Sequence, residues 1–275
     1  MLECVVNISE GRDVDLVRRI ALTAGDHLLD VHSDPHHHRS VLTLAGPEVD
    51  EAAYVVAAAA VAWLDLRGHE GVHPRLGVVD VVPFVPLEGS GLDDAVATRD
   101  RLARDVGADL ELPCFLYGPE RSLPEVRRSA FGPDLAPDHG PREPHPTAGA
   151  ACVGARPVLV AYNIWLAPPA TAADALRVAR AVRSPLVRTL GLDVGGRPQV
   201  SCNLIAPHVS GPATVFDEVN RLAPAEGAEL VGLLPRAVLD GVPAHRWDEL
   251  GIGTTETIEA RLEQAGLDGG SSARP

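Results

Sequence analysis

The chain of 275 residues contains no lysine, and this absence removes several classes of chemistry. A P-loop needs a lysine to reach nucleotide phosphates, and enzymes that use pyridoxal phosphate or a Schiff base need one to form an imine. The sequence also lacks a G-x-G-x-x-G turn between a strand and a helix and a G-x-S-x-G nucleophile elbow. These absences exclude P-loop nucleotide chemistry, imine chemistry and hydrolysis of the α/β-hydrolase kind.

Positive charge is scarce as well. The chain carries 24 basic residues against 38 acidic ones, a formal net charge of −14. A nucleic-acid binder needs a basic surface to displace counterions, so we expect no nucleic-acid partner. Small anionic ligands are not excluded, because a few arginines in a cleft create a local positive field.

Long apolar runs and paired cysteines are missing too. The longest apolar stretch, Ala52 to Leu64, is too short to span a bilayer, and the N-terminus lacks the pattern of a signal peptide. The four cysteines are far apart, which is typical of buried thiols in a reducing compartment. We therefore expect a cytoplasmic protein without a membrane partner.

A pattern of strands and helices occurs twice along the chain. Short β-type runs and amphipathic helices follow the order β-α-β-β-α-β in the first half, with a further α-β, and again from Val158. This predicts an α+β fold made of two ferredoxin-like α/β sandwich subdomains in tandem, residues 1–156 and 157–265. The Gly/Ser-rich residues 266–275 are expected to form a disordered tail.

The segment from Arg121 to Gly154 is dense in proline, glycine, arginine and histidine. We expect it to lack regular structure, as either a functional loop or a disordered linker. As a functional loop, its glycine-rich end would offer backbone N–H groups to a ligand.

One histidine stands out as a candidate for proton transfer. The residues His69 to His73 match H-E-x-x-H, but a zinc site of that kind needs both histidines on one uninterrupted helix. Gly71 and Pro74 disfavour such a helix, so we reject this interpretation. His73 then lies on a tight loop, where it is either a proton carrier or a histidine with a purely local hydrogen bond.

The segment from Asp30 to Arg39 is a second polar cluster, DVHSDPHHHR. Neighbouring residues of an extended segment point to opposite faces, so a solvated hairpin competes with a metal site. Arg39 is a candidate partner for a substrate carboxylate. A metal-binding protein stays an alternative, with ligands drawn from His32, His36, His37, His38, His69 and His73.

Eight segments, in order over roughly residues 2 to 265, together resemble the formiminotransferase family. They are ECVVNISEGRD (Glu3 to Asp13), LLDVHSDPHHHRSVLTLAG (Leu28 to Gly46), HEGVHPRLGVVDVVPFVP (His69 to Pro86), LYG (Leu116 to Gly118), PDHGPREPHPTAGAACVGAR (Pro137 to Arg156), AYNIWL (Ala161 to Leu166), QVSCNLI (Gln199 to Ile205) and ELVGLLP (Glu229 to Pro235).

The resemblance implies two ferredoxin-like subdomains with a ligand tunnel or cleft between them, usually in a homodimer. It implies transfer of a formimino group between N-formiminoglutamate and tetrahydrofolate in histidine degradation, giving 5-formiminotetrahydrofolate and glutamate. Tetrahydrofolate is the expected co-substrate, and no metal is expected.

The resemblance also implies site residues. His73, in the HPR motif, is the expected catalytic acid and base. The expected folate-contacting residues are His145, Pro146, Thr147, Ala148, Gly149, Ala150, Ala151, Cys152, Val153 and Gly154. The expected substrate-binding residues are Asn7, Arg39, Arg75, Asn163 and Asn203.

Four positions depart from the family pattern. Val72 stands where an acidic residue is usual, His38 where asparagine is common, and Ala148 and His139 where aromatic residues are common. These departures leave two alternatives open. One is a folate-dependent formimino or formyl transferase with a different amine substrate, and the other is a non-catalytic folate-binding homologue.

Overall fold

The computed structural model describes residues 1–267 of an α+β protein. The chain divides into two compact units, an N-terminal unit, Met1–Pro157, and a C-terminal unit that begins at Val158. Of the expected tail, residues 268–275 lie outside the described residues. Gly266 ends the last helix in the left-handed conformation, with φ of 69°.

The N-terminal unit contains six strands and four α-helices. Its strands are β1 (Leu2–Ile8), β2 (Leu28–Asp34), β3 (Arg39–Gly46), β4 (Val79–Pro86), β5 (Cys114–Tyr117) and β6 (Ala151–Ala155). Its helices are α1 (Val14–Ala21), α2 (Val49–Trp63), α3 (Leu92–Asp109) and α4 (Leu123–Ser129).

The six strands form one mixed sheet in the order β2-β3-β1-β4-β6-β5. β1 pairs antiparallel with both β3 and β4, so the first four strands and their two helices have the predicted β-α-β-β-α-β order. β6 lies between β4 and β5 and is parallel to both. Leucine, valine and alanine side chains from β1, β3, β4, α2 and α3 form the main core of this unit.

The expectation of an unstructured segment from Arg121 to Gly154 is wrong, because it contains α4 and most of β6. The Glu125 carboxylate accepts a hydrogen bond from the Ser122 N–H at 2.6 Å, which caps the start of α4. β6 consists of small residues and is buried along its whole length. A β-carbon on Gly154 would lie 2.1 Å from the Tyr117 ring, so the strand needs glycine there.

The C-terminal unit contains one antiparallel sheet of four strands in the order β10-β7-β9-β8. The strands are β7 (Val160–Leu166), β8 (Val187–Val194), β9 (Arg197–Leu204) and β10 (Ala225–Val231). The helices are α5 (Ala172–Val182), α6 (Pro212–Leu222), α7 (Arg236–Asp240), α8 (Trp247–Leu250) and α9 (Ile258–Ala265). The order from β7 to β10 is again β-α-β-β-α-β, as predicted.

No helix within residues 1–267 combines the length and the apolar character that crossing a bilayer requires. All four cysteines are buried free thiols.

Candidate active site

His73 lies on the loop between α2 and β4, and its ring is half-buried. Its Nδ1 is 2.8 Å from the carbonyl oxygen of Pro74. A carbonyl only accepts hydrogen bonds, so the proton of a neutral ring lies on Nδ1 and the lone pair lies on Nε2. The loop therefore leaves Nε2 as the nitrogen that can take up a proton.

Asp80, at the start of β4, is fully buried beside this loop. Its carboxylate accepts hydrogen bonds from Arg39 Nη1 at 2.5 Å, Arg127 Nη2 at 2.6 Å and the Leu76 N–H at 2.7 Å. Burial alone raises the pKa of Asp80, but Arg39 and Arg127 outweigh it, and the net pKa lies below the usual value. The carboxylate is therefore a fixed negative charge beneath the loop.

Arg127 comes from α4 and was not predicted as a site residue. Besides its contact with Asp80, its Nη1 donates to the Pro74 carbonyl oxygen. Asp80 carried a signal in the sequence, since a lone carboxylate in an apolar strand needs a cationic partner. Arg127 carried none, because nothing in the sequence connects α4 to β4.

The surroundings of His73 disfavour its protonated form. Burial is the largest cause, and the positive charges of Arg39 and Arg127 add to it. The carboxylate of Asp80 and the Pro74 carbonyl act in the opposite direction but do not compensate. Together these effects lower the pKa of His73 to about 3, so its imidazole is neutral at physiological pH.

His38 and His69 form a second imidazole pair nearby, with ring centroids 3.9 Å apart. His38 faces two acceptors, the Glu10 carboxylate at 3.2 Å and the Glu70 carbonyl at 2.8 Å. His69 Nδ1 accepts from Arg75 Nη1 at 2.6 Å, because a guanidinium only donates. Burial, followed by the charge of Arg75, lowers the pKa of His69, which is therefore neutral with its proton on Nε2.

Arg75 joins the histidine-rich turn between β2 and β3 to the loop between α2 and β4 that carries His73. Its Nη2 donates to the carbonyl oxygens of His73 at 2.6 Å and His37 at 3.3 Å. The His37 ring lies 6.1 Å from the His73 ring, measured between centroids. A β-carbon on Gly71 would lie 2.5 Å from the His37 carbonyl oxygen, so only glycine allows this approach of the two segments.

The expected folate-contacting run packs directly against the loop that carries His73. The carbonyls of Thr147 and Ala148 accept from Leu66 N at 2.7 Å and Val78 N at 2.9 Å. The N–H groups of Thr147 and Ala148 point to His145 Nδ1 at 3.3 and 3.0 Å. These two N–H groups are therefore engaged within the chain, so the functional-loop alternative has no free backbone donor at Thr147 or Ala148.

Burial differs along this run. His145 and Thr147 are partly exposed and Pro146 is exposed. The others are buried, because they enter or form the parallel strand β6; they are Ala148, Gly149, Ala150, Ala151, Cys152, Val153 and Gly154. A ligand at this run would therefore meet the side chains of its first three residues.

A substitution at Gly149 tests how tightly the run and the His73 loop are joined. Gly149 has φ of +72°, and an added β-carbon would lie 2.2 Å from the Leu76 carbonyl oxygen. We expect Gly149→Ala to lower the free energy of unfolding by about 2–5 kcal/mol, since left-handed strain and overpacking add. Gly68→Ala is the matched control, because Gly68 has φ of +75° but open space around it.

Only the left-handed strain applies at Gly68, so that variant should lose about 1–2 kcal/mol. Urea unfolding of both variants measures the difference. Equal midpoints would contradict the close contact between the two segments.

The expected substrate-binding residues fall into two groups. Asn7 accepts from Arg39 Nε at 3.1 Å, which places it in the cluster around Asp80. Because Arg39 already holds Asn7 and Asp80, a bidentate contact with a substrate carboxylate would have to displace them. Asn163 on β7 and Asn203 on β9 belong to the C-terminal unit, where Asn163 Nδ2 donates to Glu229 at 3.5 Å.

Within residues 1–267, no group of three or more His, Cys, Asp or Glu side chains is arranged to hold a metal ion. His38 and His69 are instead engaged by protein partners. The metal-binding alternative gains no support from this geometry.

Comparison with known proteins identifies the family of this chain. A model of the formiminotransferase domain, N-terminal subdomain, matches residues 1–156. Glutamate formimidoyltransferase of Thermoplasma acidophilum is 32% identical over 96% of this chain and 98% of its own length. The enzyme of the same name from Streptococcus pyogenes is 39% identical over 60% of this chain and 62% of its own length.

Formimidoyltransferase-cyclodeaminase of Sus scrofa is 36% identical over 87% of this chain and 51% of its own length. The chain thus spans about half the length of the mammalian relatives it matches. The domain model covers more than half of the chain, and the alignment with the Thermoplasma protein covers nearly all of both chains. The chain therefore belongs to the formiminotransferase family.

Proposed function

We propose that this chain transfers a formimino group between N-formiminoglutamate and tetrahydrofolate, and that His73 carries the proton. The observation that supports this most directly is the state of His73. Its Nδ1 is committed to the Pro74 carbonyl, and its imidazole is neutral, in a chain of this family. Two similar proteins are named glutamate formimidoyltransferase, which supports the same reaction.

Tetrahydrofolate, as co-substrate, supplies N5, which bonds to the amidine carbon while the bond from that carbon to the glutamate nitrogen breaks. His73 Nε2 accepts the proton that N5 loses and returns it to the departing glutamate nitrogen. The low pKa of His73 keeps Nε2 unprotonated before N5 attacks, and it makes the imidazolium that then forms a strong acid toward the departing nitrogen. The ring ends the cycle neutral, so no proton is gained or lost.

The charge around His73 suits substrates that carry carboxylates. Three guanidiniums lie around the loop, those of Arg39, Arg75 and Arg127. The buried carboxylate of Asp80 offsets only one of these three positive charges. The excess of positive charge creates a local attractive field inside an acidic protein. We propose that Arg39 and Arg75 act on the substrates mainly through this field.

Substrate contacts beyond His73 belong to the same proposal. The exposed start of the folate-contacting run, from His145 to Thr147, would contact the folate, with the buried rest of the run supporting it. Asn7, Asn163 and Asn203 would contribute amide groups to the glutamate substrate. Both units have the β-α-β-β-α-β order that supports ferredoxin-like folds, and we propose that fold for each unit. We also propose a cytoplasmic location and a homodimer.

The direct test uses the purified full chain with N-formiminoglutamate and tetrahydrofolate. Acidification converts 5-formiminotetrahydrofolate to the 5,10-methenyl compound, whose absorbance reports turnover. Absence of this absorbance with active tetrahydrofolate would refute the proposal. Turnover of another amine donor alone would favour the alternative raised by Val72 and His38, and folate binding without any turnover would favour a non-catalytic homologue.

The low pKa of His73 makes a prediction about pH. Because the ligand-free ring stays unprotonated down to about pH 3, kcat/KM should not fall through the range near pH 6.5 where an ordinary histidine takes up its proton. A ¹⁵N NMR titration of the ligand-free protein measures this directly. A His73 signal that titrates near 6.5 would contradict the burial and charge described for the site.

A further inference from the structure

A chain of hydrogen bonds runs from α4 to the ring of His73. Arg127 Nη2 donates to the buried Asp80 carboxylate at 2.6 Å, and its Nη1 donates to the Pro74 carbonyl oxygen. The same carbonyl oxygen accepts from His73 Nδ1 at 2.8 Å. One guanidinium therefore joins a fixed carboxylate to the carbonyl that receives the imidazole proton.

This arrangement controls which ring nitrogen of His73 is protonated. A neutral imidazole carries one proton, and the hydrogen bond made by one nitrogen decides the role of the other. Without a fixed acceptor opposite Nδ1, the ring would exchange between its two tautomers. The form with the proton on Nε2 has no lone pair at Nε2, so that nitrogen would be unable to accept a proton.

We propose that Arg127 is a positioning residue, which locks His73 in the Nδ1–H tautomer by bridging Asp80 and the Pro74 carbonyl. The lock leaves the Nε2 lone pair to exchange the proton with the substrate. The catalytic consequence rests on the proposed function, whereas the tautomer is a property of the ligand-free chain.

The bridge needs arginine, because only a planar guanidinium presents two N–H groups at a fixed angle to two separate acceptors. Its anchor is rigid, since Asp80 is fully buried and also accepts from Arg39 and the Leu76 N–H. Arg127 itself is mostly buried, with a side-chain exposure of 17%. A lysine would supply the positive charge beside Asp80 but would place only one ammonium between the two acceptors.

Other charged groups also act on His73, and the test has to separate them from the bridge. The charged or titratable groups that contact the ring or its loop, or act on the ring through charge, are Arg12, His37, His38, Arg39, His69, Arg75, Asp80 and Arg127. Removing the charge of Arg127 raises the pKa of His73, because its charge disfavours the imidazolium. A lysine at this position keeps most of that effect, whereas glutamine does not.

The experiment compares Arg127→Gln and Arg127→Lys with Arg128→Gln in the full chain. Arg128 is the next residue on α4 and is exposed, so its variant controls for loss of a positive charge from the helix. Long-range ¹H–¹⁵N NMR spectra of histidine-labelled protein identify the tautomer of His73. We expect Nδ1–H in the unsubstituted protein and in Arg128→Gln, and a mixture of both tautomers in Arg127→Gln and Arg127→Lys.

Turnover gives the second readout. We expect kcat to fall about 10- to 100-fold in Arg127→Gln, by analogy with lost hydrogen-bond partners of metal-ligating histidines, with KM changed less than about threefold. Arg127→Lys should unfold near the urea midpoint of the unsubstituted protein yet stay slow. Should Arg127→Gln fail to fold, the lysine variant carries the test.

The outcomes separate the two proposals. Retention of the Nδ1–H tautomer in both Arg127 variants, or full recovery of kcat by lysine, would overturn the positioning role. A protein without transferase turnover whose tautomer still shifts in these variants would refute the proposed function and leave the lock in place.

Discussion

Replacing His73 with alanine is expected to lower kcat about 10²- to 10⁴-fold while tetrahydrofolate affinity stays unchanged. The imidazole moves a proton between N5 and the departing nitrogen, and alanine has no group that does so. The ring makes its hydrogen bond to the carbonyl of the next residue, so its loss should leave the surrounding loop in place. Steady-state kinetics with the acidification assay, together with a folate-binding titration, measure the two quantities.

A matched control is His27→Ala, which removes a partly exposed imidazole that bonds to the Pro47 carbonyl at 2.7 Å. It should keep the activity of the unsubstituted protein. Added imidazole should restore part of the turnover of His73→Ala, because a free base can occupy the vacated space and carry the proton. Unchanged kcat in His73→Ala would refute the assigned role.

Replacing Asp80 with asparagine is expected to have the largest effect on stability. Asp80 is fully buried, and asparagine has no negative charge. The substitution therefore leaves the mostly buried guanidiniums of Arg39 and Arg127 without a counter-ion. Breaking a buried ion pair in this way costs about 3–5 kcal/mol. Because β1 and β4 belong to the N-terminal unit, hydrogen exchange in urea should show loss of amide protection in their peptides. Peptides of β7 and β9, in the C-terminal unit, should keep their protection.

Asp65→Asn is the control, since Asp65 pairs with Arg67 at the surface, where water screens the charges. Its unfolding midpoint should not move. The pKa of Asp80 in the folded chain lies below the value of about 4 that an aspartate has in an unfolded chain. The stabilising effect of its charge is therefore fully present above about pH 4, and it is lost as the pH falls through the pKa of Asp80 in the folded chain. An Asp80→Asn midpoint equal to that of Asp65→Asn would contradict the description of the ion cluster.

Periodicity was sufficient for most of the regular structure. The helices α5 (Ala172–Val182) and α6 (Pro212–Leu222) are the two helices of the second predicted repeat, because apolar side chains recur there at helical spacing between clear start and stop residues. β6 was missed, because its residues are small and carry no alternation of polar and apolar side chains. A strand buried in a parallel sheet is defined by its neighbours β4 and β5, which lie far away in sequence.

Within the site, the sequence indicated which residue types take part but did not indicate which side chains form ion pairs or hydrogen bonds with each other. The loop position of His73 followed from Gly71 and Pro74, which disfavour a helix. Arg39 was noticed as a carboxylate partner, but the carboxylate that it binds is Asp80 of its own chain. That pairing joins β3 to β4, and no local pattern records which side chains of separate strands will meet.

The sequence by itself determined the two β-α-β-β-α-β repeats, the family resemblance and the presence of a histidine on a loop without helical structure. These follow from local spacing, since helix and strand periodicity and the conformational limits of glycine and proline act over a few residues. Only the tertiary structure decided the chemical state of that histidine. Its tautomer and its low pKa depend on Pro74, Asp80, Arg39 and Arg127, because burial and charge act through space between residues that folding brings together.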